Sequence, residues 1–278
     1  MITAGSYHTL TVSRISPHGI YLADADGAEV LLPNRYVSLE NKVGDQMTVF
    51  VYHDSEERPV ATTEHALAAV GEVAYLEVVD KTIHGAFMNW GDIPKDLFVP
   101  NRNQLNPMAV GQRHLVYLYS DNVTGRVVGS AKLKGFINNE ELTVKQGEQV
   151  DIMIAVRQEI GYRCVINNRH WGMLYHNQIF SPVAVGDKIQ AYIRRVTDDN
   201  RIDLNLQAEG FDEVKRQVDR LLELLTQAGG SLPIGDKSEP EEVAARTGMS
   251  KKVFKRVLGF LMKQGYVEAT ETGIKRIK

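Results

Sequence analysis

Three kinds of side chain in this sequence could do chemistry: eight histidines with one cysteine, Cys164; aromatics close to arginines; and lysines crowded near the carboxy end. The first set is poorly arranged for catalysis. No His-Glu-x-x-His zinc signature, glycine-rich phosphate loop with a catalytic lysine, or Gly-x-Ser-x-Gly nucleophile elbow occurs. Cys164 could pair with His170 or His176 as nucleophile and base, yet it stands in the apolar run Cys-Val-Ile and reads as a packed core thiol. Asp198 and Asp199 bring no further convergent ligand for Mg²⁺ and read as turn formers ahead of Arg201. The expectation is no catalytic residue, no metal and no cofactor. A single cysteine also excludes an intrachain disulfide and fits a reducing compartment. With no basic-then-apolar leader and no run of about 18 apolar residues, the expected location is cytoplasmic, with no membrane partner.

The remaining two sets suit binding. A chain of 278 residues, 43% hydrophobic and 24% charged, is globular and fills about two average domains. Its net charge of -3 argues against a uniformly basic coat for nucleic acid. The charge is uneven, however. Residues 1–63 carry 4 basic and 8 acidic side chains, whereas residues 250–278 carry 8 and 2, a net of +6. Phosphate contacts are therefore expected toward the carboxy-terminal half, although a solvated lysine-rich helix face has the same composition.

One phrase recurs three times, starting at Val43, Val110 and Val185: a Val-Gly-polar turn, an alternating apolar strand, a polar turn containing Asp, then another strand. The turn glycines, Gly44, Gly111 and Gly186, are spaced for small complete domains, too far apart for a solenoid. Strand candidates of matching order precede each phrase. Five short strands per unit predict a small Greek-key barrel, with an SH3-like barrel or a continuous sandwich as alternatives. The predicted fold is mainly β with an α/β carboxy-terminal module: barrels over 1–63, 64–146 and 147–208, then a different domain over 209–278.

The units resemble the S1 domain, an RNA-binding OB fold, and the third does so most clearly. Its Gly161-Tyr162-Arg163-Cys164, Gly172-Met173-Leu174-Tyr175 with His176 beyond, and Asp198, Asp199 and Arg201 match the three stretches that form the RNA face in that family. The resemblance implies Tyr162, Tyr175, His176 and Arg201 as RNA-binding residues, the aromatics stacking on bases and Arg201 meeting phosphate or a base edge. Tyrosines also cap small barrel cores. In the second unit, Phe87 and Trp90 of Gly-Ala-Phe-Met-Asn-Trp-Gly, followed by Arg102, occupy comparable places, but Val99-Pro100 and the longer turn at Gly125-Arg126 depart from the pattern. The first unit, with Tyr21, Arg35 and Tyr36, is further away, and its negative charge opposes phosphate; it reads as spacer or protein contact.

After Gln207 the period changes. Phe211, Val214, Val218, Leu221, Leu222 and Leu225 make one face of a helix that Gly229-Gly230 ends, and Leu232-Pro233-Ile234 reads as a bridge. Pro240 opens a second helix closed by Gly248, and Ser250 caps a third that buries Phe254, Val257, Leu258 and Leu261. A hairpin around Gly273 completes the pattern of a winged helix-turn-helix. Lys251, Lys252, Lys255 and Arg256 on the third helix, with Lys275, Arg276 and Lys278 on or after the wing, are candidates to hold a nucleic-acid backbone. Packing on a neighbour is the structural alternative. The whole order resembles the conserved virulence factor B family, which implies a noncatalytic bacterial protein binding single-stranded RNA and influencing gene expression after transcription, through its third barrel and winged helix. A protein scaffold in an RNA-processing or transcription assembly and a regulator binding duplex DNA stay open as alternatives, as do proteins of such assemblies as partners.

Overall fold

The computed structural model describes residues 1–179, 182–206, 211–270 and 273–277, the side chains of 211–216 excepted. Lys278 and the side chains of Phe211 and Val214 therefore lie outside the described residues. The chain divides into two compact units, Met1–Leu206 and Gln207–Lys278.

The first unit holds three closed five-stranded barrels of one topology. Their strands are β1 (Ser6–Ser16), β2 (Gly19–Ala23), β3 (Glu29–Pro33), β4 (Gln46–His53) and β5 (Pro59–Thr62); β6 (Val73–Lys81), β7 (Gly85–Met88), β8 (Leu97–Pro100), β9 (Arg113–Ser120) and β10 (Val127–Ser130); and β11 (Gln149–Gln158), β12 (Gly161–Ile166), β13 (His170–Tyr175), β14 (Lys188–Val196) and β15 (Ile202–Asn205). In each, a long first strand pairs antiparallel with the second and fourth, and the third runs parallel to the fifth. A bulge breaks the first strand at Val12/Arg14, Val78/Asp80 and Ile154/Val156, which lets one strand bend enough to close the barrel. The repeated glycine works as a left-handed turn residue before the fourth strand, with φ of 98°, 83° and 97° at Gly44, Gly111 and Gly186.

Apolar joints bind the barrels together. Phe50, Tyr52 and Val60 of the first pack into the cluster that holds Leu76, Met88, Trp90 and Leu118 of the second. Met153, Ala155 and Val165 of the third meet Val73, Leu133 and Ile137 in a further cluster, and Asn168 Oδ1 accepts from the Val73 amide at 2.9 Å. Leu142 and Val144, on the approach to β11, pack in the third barrel's core.

The second unit is a winged-helix module: α1 (Phe211–Gln227), β16 (Ser231–Leu232), α2 (Pro240–Thr247), α3 (Lys251–Lys263), β17 (Val267–Thr270) and β18 (Gly273–Arg276). Its helix ends follow the predicted capping. Pro240 opens α2, Gly248 at φ 68° closes it, and Ser250 Oγ accepts from the Val253 amide at 3.4 Å. Val218, Leu221, Leu225, Phe254, Val257, Leu258 and Leu261 form its core. The predicted bridge differs: Ser231 and Leu232 form a strand that pairs with β18, making a three-stranded sheet ordered β16-β18-β17.

Candidate nucleic-acid interface

Strand parity sorts the third barrel's predicted residues onto two sides. Tyr162 shares its face with Cys164 and Ile166 and packs against the core, while its register partner on β13 is the buried Leu174. His176 is exposed and sets its edge against the Tyr162 ring, 5.7 Å between centroids at 81°. Trp171, Met173 and Tyr175 alternate to the outer face of β13. The two tyrosines are thus separated, and Tyr175 keeps different company. Its hydroxyl donates to Asp203 Oδ1 at 3.1 Å. Partial burial and the Asp203 carboxylate hold that phenol above its usual range, against the opposing charges of Arg201 and Arg194, so it stays protonated and uncharged near neutral pH.

Arg201 is 78% exposed in its side chain and bonds Asp199 at 2.8 Å. An exposed pair of that kind contributes little and is exchanged readily for a phosphate. Across the sheet on the same face, Arg163 pairs with Met173, which pairs with Asp203. The Arg163 guanidinium stacks 3.8 Å above the Trp171 ring, whose indole N–H donates to Ile137 O at 2.9 Å. No carboxylate pairs with Arg163 among the described residues. A fixed planar cation on the same face of β13 as Tyr175 is an apt partner for a base or phosphate.

In the second barrel, Phe87 on β7 faces Phe98 on β8, with centroids 5.0 Å apart. They wall a cleft of about 510 Å³ that His84, Lys95 and Arg126 also line. Arg102 lies on a neighbouring hollow and donates to Asp121 Oδ2 at 2.7 Å. Trp90 does not serve as the exposed platform predicted for it. The ring is 4% exposed, its Nε1 donates to Ala68 O at 2.7 Å, and its edge meets Phe50 of the first barrel at 5.4 Å and 87°. It is part of the joint between barrels and only borders the cleft, so stacking a base on its face would require that joint to open.

On the winged helix, Lys252, Lys255 and Arg256 are exposed, and Lys251 is half-buried. Lys255 pairs with Asp236 at 2.9 Å, and Arg276 donates to Thr226 Oγ1 at 2.5 Å. Lys252 and Arg256, one turn apart on α3, have no acidic partner among the described residues, and Lys275 lies opposite Glu268 in the wing.

Cys164 and His170, one candidate nucleophile and base, are both buried. His170 has Nδ1 at 2.9 Å from Asn138 O and Nε2 at 2.8 Å from Thr143 Oγ1. Burial pushes the Cys164 thiol up to about 12, so at pH 8 only about one molecule in ten thousand carries a thiolate. A disulfide reagent at pH 8 is expected to leave the native chain essentially unmodified and to label one thiol promptly in guanidinium; fast native labelling would show an accessible nucleophile instead. Among the described residues no group of three or more His, Cys, Asp or Glu side chains is placed to hold a metal, and no helix is long and apolar enough to cross a membrane.

Three S1-like barrels followed by a winged helix place the chain in the class of tandem OB-fold proteins with a helix-turn-helix terminus. The S1 domain family matches residues 4–64, and the CvfB-like winged helix domain family matches residues 219–275. The chain is a CvfB-like protein. It is 25% identical to YitL of Bacillus subtilis over 95% of this chain and 90% of that protein. Conserved virulence factor B of Staphylococcus epidermidis is 22% identical, over 97% and 93%. A crystal structure described as a multidomain protein with nucleic acid binding domains, from Streptococcus pneumoniae TIGR4, aligns over 99% of this chain and 98% of that one at 20% identity, with a TM-score of 0.40. This similarity is consistent with nucleic-acid binding and gene-regulatory roles. The S1 match falls on the unit whose RNA-face motifs depart furthest from that family.

Proposed function

We propose that this protein is a noncatalytic single-stranded RNA-binding protein that influences gene expression after transcription, with its principal contacts on the third barrel and the winged helix. The observation that carries this reading is the outer face of the third barrel: Tyr175, half-buried and uncharged, near the readily freed Arg201, with the stacked Arg163–Trp171 pair further along the same face of β13. Aromatic planes and arginine planes are what unstacked bases and a flexible backbone engage. Phe87 and Arg102 extend the reading to the second barrel, and Lys252 and Arg256 to α3. Tyr162 with His176 adds an edge to the third site. The family resemblance supports the same assignment, and association with RNA-processing or transcription proteins in the cytoplasm would follow from it.

The test is a titration of the full chain against an unstructured RNA, the matching single-stranded DNA and a short duplex DNA at several salt concentrations. Affinity should be highest for the RNA and fall as salt rises. Replacing Lys252 and Arg256 with Ala should flatten the log-log salt dependence by about 0.7 for each phosphate that is no longer neutralised. Failure across several RNA compositions, or preference for duplex DNA, would overturn the reading.

A further inference from the structure

The turn between the last two strands, one residue longer in the second barrel, ends the same way in all three, on a left-handed residue followed by arginine, and one of these residues is out of type. Gly125 at φ 70° precedes Arg126, Asn200 at φ 60° precedes Arg201, and Glu57 at φ 62° precedes Arg58. Glycine and asparagine enter this left-handed region easily, whereas glutamate is strained there. The turn around Glu57 needs no such residue, since Asp54 Oδ1 already accepts from the Glu56 and Arg58 amides. The side chain instead reaches out of its own barrel. Its two carboxylate oxygens lie 3.2 Å from Lys95 Nζ and 3.0 Å from Arg126 Nε, both in the second barrel.

Those two cations border the cleft walled by Phe87 and Phe98. Two adjacent positive charges beside an aromatic wall match the phosphate and base of one nucleotide, and the volume suits a unit of that size. The cleft's other carboxyl, Asp96, is pushed up by burial and by Asp80. The strain is thus borne at the residue whose carboxylate occupies the space between those two cations.

We propose that the cleft between the first and second barrels is a binding site for one phosphate-bearing nucleotide of single-stranded RNA, and that Glu57 is a built-in competitor which the phosphate must displace from Lys95 and Arg126. The site rests on the RNA-binding reading for the source of its ligand, but it is separate from the third-barrel face. No bond is made or broken; one anion replaces another on the same two cations.

A full chain carrying Tyr175→Ala and Arg201→Ala, which disables the third-barrel face, gives the background, and the probe is a fluorescently labelled 5′-phosphorylated hexauridylate read by anisotropy. Adding Glu57→Gln, or Glu57→Gly, should tighten binding by about tenfold, the scale of removing one competing ion pair. Adding Lys95→Ala with Arg126→Ala, or Phe87→Ala, should abolish that gain. Glu57→Gly suits the backbone angle and should fold at least as readily as the Gln variant. Unchanged affinity in both Glu57 variants, with a lowered melting temperature, would reduce Glu57 to a clamp between barrels and overturn the proposal. If the original chain binds RNA and loses it through Tyr175 while the Glu57 variants gain nothing, only this inference fails. A gain in the Glu57 variants without any third-barrel contribution would sink the third-barrel reading alone.

Discussion

Tyr175→Ala should weaken binding of unstructured RNA by roughly tenfold to a hundredfold at fixed salt, the loss expected when one base is deprived of its aromatic platform. The expectation follows from position: Tyr175 is on the outer face of β13, and its hydroxyl is tied to Asp203 at 3.1 Å, so the ring is oriented before any ligand arrives. A ring without charge stacks but releases no counterion, and the salt dependence should therefore be unchanged in this variant. Arg201→Ala should do the reverse, lowering the salt slope by about 0.7 with a smaller loss of affinity at high salt. Tyr175→Phe should keep most of the binding. Parallel loss of affinity in the Phe and Ala variants would show that the hydroxyl, and not the ring face, meets the RNA. Equal binding by all three chains would remove the third-barrel face from the proposed site.

Trp90→Ala should lower the stability of the first unit by about 3–5 kcal/mol, the range for removing a large buried aromatic. The side chain fills the joint between the first two barrels and satisfies Ala68 O, so its removal leaves a cavity, an acceptor without its donor and Phe50 without its edge partner. Urea unfolding followed by far-ultraviolet circular dichroism gives the midpoint shift. Trp90 also borders the cleft walled by Phe87 and Phe98, so RNA affinity is compared in a Phe87→Ala background, in dilute buffer where the variant is still folded, and there it should hardly move. A variant as stable as the original chain but poor in RNA binding would restore Trp90 to the binding surface.

Parity explains which parts of the site are legible in the sequence. Once Cys164 is read as a core thiol, period two along Gly-Tyr-Arg-Cys-Val-Ile puts Tyr162 on the core side and Arg163 outside. The signal for Arg163 is therefore local, though masked by the more conspicuous aromatic residue beside it. Phe87 obeys the same rule between Ala86 and Met88, both buried. Trp90 does not yield to local reasoning, since its partner Phe50 is in another barrel and nothing near Trp90 announces that contact. The strand at Ser231–Leu232 is likewise hidden: two residues show no period, and only their pairing with Lys275 and Ile274 makes them a strand. The S1 match over 4–64 has a related cause. Residues that shape a barrel and residues that touch a ligand are different sets, and the first barrel can keep the former while departing from the latter.

The apolar joints between successive barrels have a metric consequence. Because Phe50 and Trp90 fix one junction, and Val165 with Ile137 the next, the outer faces of the second and third barrels are held as marks on a rigid gauge instead of beads on a string. A strand long enough to reach from one mark to the next gains its second foothold without ordering a linker, whereas a shorter one gains nothing. Oligonucleotide length should then be read in a step, and the step measures the distance between two faces that folding has already set.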